Sequence, residues 1–171
     1  MIKQKVQTGI AYVVSTPIGD PQDIGLRALQ ILKDNTIIAC EDTRVCLELL
    51  KSLGIHEPKK LISYYDQNEK NKITEIVELL QSGKNVVLIS DAGTPNISDP
   101  GYHFVNKCYE NNIPTIGIPG PSSVTCALSI CPIGGNSFYF SGFAPEKQNE
   151  RVKTLTKLRS VADRIVFFEA P

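Results

Sequence analysis

Histidine, tryptophan and paired cysteines are scarce in this sequence of 171 residues. It has no tryptophan, two histidines (His56 and His103) and five cysteines without a CxxC pair. Because the histidines lie far apart and no cysteine pair accompanies them, the spacing of a zinc site is missing, and we expect no metal. The odd number of unpaired cysteines is typical of reduced thiols, which predicts a cytoplasmic protein.

An excess of charge and long apolar runs are also missing. Eighteen lysines and arginines balance eighteen aspartates and glutamates, so any surface that binds nucleic acid must be local. No apolar run approaches the roughly 20 residues that cross a bilayer. The amino-terminal residues lead into a strand-like segment and do not resemble a signal peptide. The sequence therefore predicts no membrane association.

Three motifs of common enzyme classes do not occur. No GxGxxG follows the first predicted strand, and the sequence contains no GxxxxGK[ST] phosphate loop. A GxSxG elbow, the commonest signal of a serine hydrolase, is absent as well. Any chemistry must therefore come from other loops.

Short apolar segments alternate with helical patterns along the chain. Strands are predicted at residues 12–14, 37–40, 61–64, 86–89, 115–118, 138–140 and 165–168. The first five rarely alternate between apolar and polar residues, as expected of strands covered on both faces. The pattern predicts an α/β fold with a mostly parallel sheet in an amino-terminal domain, residues 1–116. A second α/β domain, residues 117–171, follows the hinge "GIPGPSS" and is predicted to be truncated, since it is too short for a complete core.

Four polar or glycine- and proline-rich stretches follow predicted strands. They are "STPIGDPQD" after the first, "EDTR" after the second, "SDAGTPNISDPG" after the fourth and "PGPSS" after the fifth. Ligands of open α/β sheets bind outside the carboxyl ends of the strands, so four such stretches at one edge indicate a ligand site. Each stretch by itself is also compatible with a turn or a helix start, and Asp20, Asp42 and Asp99 are predicted N-caps.

The stretch "SDAGTPNISDPG" divides into two halves. Residues 98–101 are predicted to begin a helix, whereas Asp91, Ala92, Gly93 and Thr94 are not explained by capping. Gly93 allows a ligand to approach the main chain closely, and Ile97 offers an apolar contact. We expect this first half to form a shelf for a flat or extended cofactor.

A charged helix is predicted at about residues 147–160. Lys147 and Arg151 are four residues apart and share a helix face. Two interpretations remain open, a solvated surface and a stripe that faces RNA.

The stretches "TPIGD", "EDTR", "LISYYDQNE", "SDAGTPNISDPGY", "PGPSS" and "FSGFAPEK" together resemble the ribosomal RNA small-subunit methyltransferase I branch of the tetrapyrrole methylase superfamily. The resemblance covers nearly the whole chain. It implies a homodimer that needs no metal and methylates the 2′-hydroxyl of a cytidine in 16S ribosomal RNA of the small subunit. It also implies that S-adenosylmethionine lies in a cleft between two α/β domains. The chain departs from the family at Asp20-Pro21, usually Asn-Leu, and at Ala170, usually Ser.

Site residues follow from the resemblance and from the chemistry of the loops. The resemblance assigns to the cofactor, besides the shelf residues, Pro119, Gly120, Pro121, Ser122 and Ser123. It places Pro17 and Gly19 on the substrate side, where we also expect Lys147 and Arg151. A ribose hydroxyl is a weak acid, so a base should assist. The candidates are Glu41, Asp42, Asp91 and Glu169, and Asp91 is the weakest because a cofactor role already accounts for it. Arg44 or Lys147 would stabilise an oxyanion or hold phosphate. The stretch "EDTR", with Glu41, Asp42 and Arg44, is preferred for the substrate side.

Two other functions remain compatible with the sequence. One is methylation of a small, tetrapyrrole-like substrate, because a fold does not determine its substrate. The other is a non-catalytic module that binds the cofactor or a nucleotide. The basic helix and "EDTR" favour RNA over both.

Overall fold

The computed structural model describes residues 7–169 and divides into two compact units. The first unit extends to Ser122 and the second begins at Ser123. Ala170, where the sequence departs from the family pattern, lies outside the described residues. The domain boundary between residues 116 and 117 stays a prediction.

The elements of the first unit alternate between strand and helix. They are β1 (Ala11–Val14), α1 (Leu26–Asp34), β2 (Ile37–Cys40), α2 (Thr43–Ser52), β3 (Lys60–Ser63), α3 (Glu69–Gln81), β4 (Val86–Ile89), α4 (Tyr102–Glu110) and β5 (Thr115–Ile118). The second unit contains α5 (Ser123–Ser129), β6 (Phe138–Phe143), α6 (Gln148–Leu158) and β7 (Arg164–Phe168). All seven predicted strands are present, and the α/β prediction is confirmed.

The five strands of the first unit form one parallel sheet in the order β3-β2-β4-β1-β5. Leu32 of α1 and Leu50 of α2 belong to the apolar cluster on one face. Ile76 of α3 and Phe104 of α4 belong to the cluster on the other face. The helices therefore cover both faces, which explains why every residue of β2 and β4 is buried.

The order of the strands creates a crevice at the carboxyl edge of the sheet. The chain leaves β2 for α2 on one face, and it leaves the neighbouring β4 for α4 on the opposite face. Connections that diverge from adjacent parallel strands leave an opening between them, where ligands of such sheets bind. The loops "EDTR" and "SDAGTPNISDPG" begin at this opening.

The predicted helix caps are only partly confirmed. The Asp42 carboxylate accepts a hydrogen bond from the Arg44 backbone N–H and caps α2 as predicted. Asp20 accepts from the Gln22 N–H, but it caps a short 3₁₀ turn, and α1 begins only after Gly25. The prediction for Asp99 was wrong, because α4 begins after Gly101 and has no side-chain cap.

The second unit is small and built around two parallel strands. β6 and β7 pair with an irregularity between Phe140 and Phe143, and both of these rings meet Phe168 edge-to-face. In neither unit does a described helix combine the length and apolar character that crossing a bilayer demands.

Candidate active site

The crevice gathers polar side chains from the ends of three adjacent strands. A cleft of about 430 Å³ is lined by Glu41, Asp42, Thr43, Ser63, Tyr65 and Asp91. The Asp42 backbone N–H donates to Oδ1 of Asp91 over 3.1 Å, which joins the loop after β2 to the loop after β4. Two predicted site stretches are thus in direct contact. Ser63 and Tyr65 were not predicted as site residues, although both lie in the quoted stretch "LISYYDQNE".

The loop after β4 is also joined to the loop after β1. The Thr16 N–H donates to the Gly93 carbonyl over 2.8 Å, and the Gly93 N–H donates to the Thr16 carbonyl over 3.1 Å. The buried Thr16 hydroxyl donates to the Ser90 carbonyl. This reciprocal pairing keeps Gly93 close to the end of β1.

The loop after β5 completes the same edge. The Thr94 hydroxyl donates to the Pro121 carbonyl over 3.0 Å and shares a hydrogen bond with the Ser15 hydroxyl. A Cβ on Gly120 would stand 2.8 Å from the Ser15 Cβ, so glycine is needed for this close approach. Sequence reasoning missed Ser15 and Thr16, since a hydroxyl directly after a strand is too common to be a signal.

Two apolar side chains are exposed on the loops that meet at Gly93, the glycine of the shelf. Gly93 has φ of +83°, and the Ile18 side chain lies 3.4 Å from the position a Cβ would take. Ile18 and Ile97, in the loops after β1 and β4, are 38% and 43% exposed. The shelf therefore presents apolar surface, as expected of a site for a flat ring.

The other residues predicted on the loops after β1, β4 and β5 differ in exposure. Pro17 is buried, whereas Gly19 and Ala92 are exposed. Pro119 is exposed and Ser122 is half-buried at the end of the first unit. Ser123 is exposed and begins α5 in the second unit.

The loop after β4 carries unusual backbone conformations. Asn96 and Ser98 have φ of +68° and +62°, in the left-handed region that costs roughly 1–2 kcal/mol for a residue with a Cβ. Such conformations persist where the surrounding structure imposes them, and they cluster at ligand sites. This turn delays the start of α4 to Tyr102 and leaves Asp99 outside the helix.

Replacing Ser98 by glycine should relieve this strain. We expect Ser98→Gly to raise the free energy of unfolding by up to about 1 kcal/mol, because glycine adopts positive φ without a steric cost. Urea unfolding measures the change. Ser82→Gly is the matched control, since Ser82 has φ of −78°, and it should not be stabilised. Equal effects of the two substitutions would show that Ser98 is not strained.

Carboxyl groups dominate the electrostatics of the crevice. Partial burial, followed by repulsion from Asp91, raises the pKa of Glu41. Burial and the neighbouring Asp42 likewise raise the pKa of Asp91, against the hydrogen bond from the Asp42 backbone. Burial also raises the pKa of Asp99, although a hydrogen bond with the Ser90 side chain opposes it. The crevice therefore attracts a cation and repels phosphate.

Asp42 differs from these carboxyls because Arg44 neutralises it. Nε of Arg44 donates to Oδ1 of Asp42 over 3.1 Å, and Nη2 donates to Oδ2 over 2.6 Å. These bonds and the backbone N–H of Arg44 lower the pKa of Asp42 to about 2. Asp42 is thus a weak proton acceptor, whereas Glu41 is a better one. The Arg44 side chain is 86% exposed, with further N–H groups directed to solvent.

The raised pKa of Asp99 makes stability depend on pH. A carboxyl whose pKa is higher in the folded than in the unfolded chain stabilises the fold at pH values below its unfolded pKa. This contribution is lost as the pH rises through the folded pKa. We therefore expect the difference in free energy of unfolding between Asp99→Asn and the native chain to shift in favour of Asp99→Asn as the pH rises from 4 to 7. Urea unfolding at both pH values measures this gain. The exposed Asp23→Asn serves as control, and a pH-independent effect at Asp99 would contradict the expectation.

Arg151 and Lys147, the two basic residues predicted on the substrate side, have polar partners within the second unit. Nε of Arg151 donates to the Pro145 carbonyl, and its Nη2 donates to Glu169 over 3.0 Å. Lys147 precedes α6, is 81% exposed and lies 3.7 Å from Glu150. Arg151 therefore has a structural role that its spacing from Lys147 did not reveal, and Glu169, an alternative base, is its partner.

Within residues 7–169, no group of three or more histidine, cysteine, aspartate or glutamate side chains is arranged to hold a metal ion.

Comparison with known proteins places this geometry in a family. Residues 11–171 match the tetrapyrrole (corrin/porphyrin) methylases. The chain belongs to the tetrapyrrole methylase family. Within it, the chain is similar to proteins named ribosomal RNA small subunit methyltransferase I. It is 42% identical to the one from Thermotoga maritima, over 95% of this chain and 72% of the relative. It is 41% identical to that of Micromonospora olivasterospora, over 96% of this chain but 52% of the relative.

A third similar protein has the same name, and this chain is shorter than each of the three. The Hydrogenobaculum methyltransferase is 48% identical over 81% of this chain and 60% of its own length. The chain thus spans between about half and three quarters of the curated relatives it matches.

Solved structures of tetrapyrrole methylases share the fold. Uroporphyrin III C-methyltransferase from Thermus thermophilus has a TM-score of 0.61 at 19% identity, over 81% of this chain and 61% of its own. It is also known in complex with S-adenosyl homocysteine. Cobalt precorrin-4 methyltransferase has a TM-score of 0.64 at 18% identity, over 86% of this chain and 64% of its own.

Proposed function

We propose that this protein uses S-adenosylmethionine to methylate the ribose 2′-hydroxyl of a cytidine in 16S ribosomal RNA. The substrate is the small ribosomal subunit in the cytoplasm, and the active protein is a homodimer. The observation that carries the proposal is the crevice between β2 and β4, where the half-buried Glu41 and the cation-attracting Asp91 line one cleft. The names of the similar proteins support ribosomal RNA as the substrate.

The residues of the shelf fit the cofactor. S-adenosylmethionine supplies, when bound, a methyl group on a positively charged sulfonium. The Asp42 N–H bonds to Oδ1 of the Asp91 carboxylate and not to Oδ2. The carboxylate would stabilise the positive charge of the cofactor or accept hydrogen bonds from its hydroxyl or ammonium groups. Ile18 and Ile97 provide exposed apolar surface on the loops that meet at Gly93. The remaining cofactor residues of the proposal are Ala92, Thr94, Pro119, Gly120, Pro121 and Ser122.

Glu41 is the proposed general base. Its raised pKa brings its proton affinity closer to the working pH, which improves a general base. It would accept the proton that the ribose hydroxyl loses on methylation, with S-adenosylhomocysteine as the other product. Asp42 holds Arg44 in place, and Arg44 would contact an RNA phosphate outside the acidic cleft.

Transfer of a radioactive methyl group tests the proposal against its alternatives. The acceptors are unmethylated small ribosomal subunits and a uroporphyrinogen, and cofactor binding is measured by calorimetry in parallel. We expect label in ribosomal RNA and none in the tetrapyrrole. Label in the tetrapyrrole alone would assign the small-molecule function. Cofactor binding without transfer to either acceptor would indicate the non-catalytic module.

A further inference from the structure

Tyr65 is an aromatic side chain that lines the cleft. It follows β3, the strand at the edge of the sheet, and it is 38% exposed. Among the described residues that line the cleft it is the one aromatic, and it shares the cleft with Glu41 and Asp91.

The backbone of Tyr65 is held rigidly. Its N–H donates to Oδ1 of Asn68 over 2.9 Å, and its carbonyl accepts from the N–H groups of Asn68 and Glu69, both over 2.9 Å. The Asn68 side chain also donates to the Ser63 carbonyl. The preceding residue, Tyr64, is buried and meets Phe104 edge-to-face. The Tyr65 ring is therefore presented to the cleft from a fixed turn, at a low entropic cost of binding.

The charge of the cleft selects what can contact this ring. Glu41 and Asp91 repel phosphate, while Asp42 is neutralised by Arg44. The part of an RNA substrate that enters must therefore be the uncharged nucleoside, with its phosphates outside. Proteins that recognise unpaired nucleotides commonly stack the base on an aromatic side chain. A carboxylate also accepts a hydrogen bond from the exocyclic amino group of cytosine.

We propose that Tyr65 is the platform on which the base of the target nucleotide stacks, so that its ribose reaches Glu41. This inference rests on the proposed function and adds a specificity-determining residue to it. The cofactor's adenine is a less suitable occupant, because β2 and β4 separate β3 from β1 in the sheet. Neighbouring strands lie about 4.8 Å apart, and the Thr94 hydroxyl bonds to Ser15 at the end of β1. The Thr94 end of the shelf therefore lies away from Tyr65, whereas Asp91 lines the same cleft.

Kinetics of Tyr65 variants in the full-length protein test the stacking. We expect Tyr65→Ala to lower kcat/KM for small ribosomal subunits by about 5- to 150-fold, the equivalent of ~1–3 kcal/mol of stacking. Tyr65→Phe should stay within about threefold of wild type, because it keeps the ring. Tyr109→Ala is the matched control, since Tyr109 is 83% exposed on α4 and does not line the cleft. Unchanged kcat/KM in Tyr65→Ala would overturn the proposal.

The cofactor affinity of the same variants shows whether Tyr65 stacks on the target base or on the adenine of the cofactor. We expect the dissociation constant of S-adenosylmethionine, measured by calorimetry, to be equal in wild type and Tyr65→Ala. An equal loss of cofactor and substrate binding would place the adenine on Tyr65 and overturn the assignment to the target base.

A fluorescence titration tests the inference separately from catalysis. Because the sequence contains no tryptophan, Tyr65→Trp introduces a single reporter at the cleft. We expect a short RNA oligonucleotide with a central cytidine to quench its emission, and the same oligonucleotide with an abasic site at that position to quench it less. Equal or absent quenching would contradict stacking. If wild-type protein methylates no acceptor, the proposed function fails, but the quenching still decides the role of Tyr65.

Discussion

Replacing Asp91 by arginine is expected to abolish binding of S-adenosylmethionine. The substitution puts a positive charge where the structure has a partly desolvated carboxylate at the end of β4. It would then repel the sulfonium and the ammonium group of the cofactor. Asp91→Asn removes the charge but keeps an oxygen for the Asp42 N–H. We expect it to weaken binding by about 10- to 150-fold, as for a lost charge-assisted hydrogen bond of ~1.5–3 kcal/mol.

Calorimetry measures both affinities, and thermal unfolding shows whether each variant is folded. Asp34→Asn is the matched control, because Asp34 ends α1 and does not line the cleft. Native affinity in Asp91→Asn and Asp91→Arg would remove Asp91 from the cofactor site and leave its contact with Asp42 as its only role.

The second large effect is expected at Glu41. Glu41→Gln keeps the size of the side chain but removes the proton acceptor, and general bases contribute about 10²- to 10⁴-fold to rate. We expect kcat to fall by that factor while the cofactor dissociation constant stays within about threefold. In the wild type, kcat should rise with pH through a pKa above that of an ordinary glutamate, because burial and the neighbouring aspartates raise it.

Single-turnover methyl transfer from pH 5 to pH 9 measures this dependence. Glu78→Gln, at an exposed position on α3, is the control and should retain full activity. If Glu41→Gln retains kcat and its pH profile, a different group accepts the proton. Asp42 is a poor alternative, because its pKa of about 2 makes it a weak base.

Much of the fold could be predicted because strands between two helical layers must be apolar on both faces. The continuous apolar segments of β2 and β4 met this condition and were correctly placed. The parallel arrangement of the strands also predicted that the four loops lie at the same edge of the sheet. The order of the strands was not predictable, because neighbouring segments such as β1 and β4 are distant in sequence.

The candidate site was less predictable, because its contacts join loops that are far apart along the chain. The bonds of Thr16 to Gly93 and of Ser15 to Thr94 link residues about 80 positions apart. Asp99 met the sequence criteria of a cap, yet the left-handed residues before it displaced the helix start. The spacing predicted a shared helix face for Lys147 and Arg151, but Lys147 precedes α6 in an extended conformation. The spacing also could not show the bond of Arg151 to Glu169.

The chemical position of the transferred methyl group is the most direct test of ribose methylation at the crevice. Small ribosomal subunits that lack the modification are incubated with the full-length protein and S-adenosylmethionine, and nucleosides of their RNA are analysed by mass spectrometry. Wild-type protein should produce 2′-O-methylcytidine at one position, and Glu41→Gln should produce almost none while binding the cofactor normally. A methyl group on a base, or equal yields from both proteins, would contradict a crevice built to activate a ribose hydroxyl.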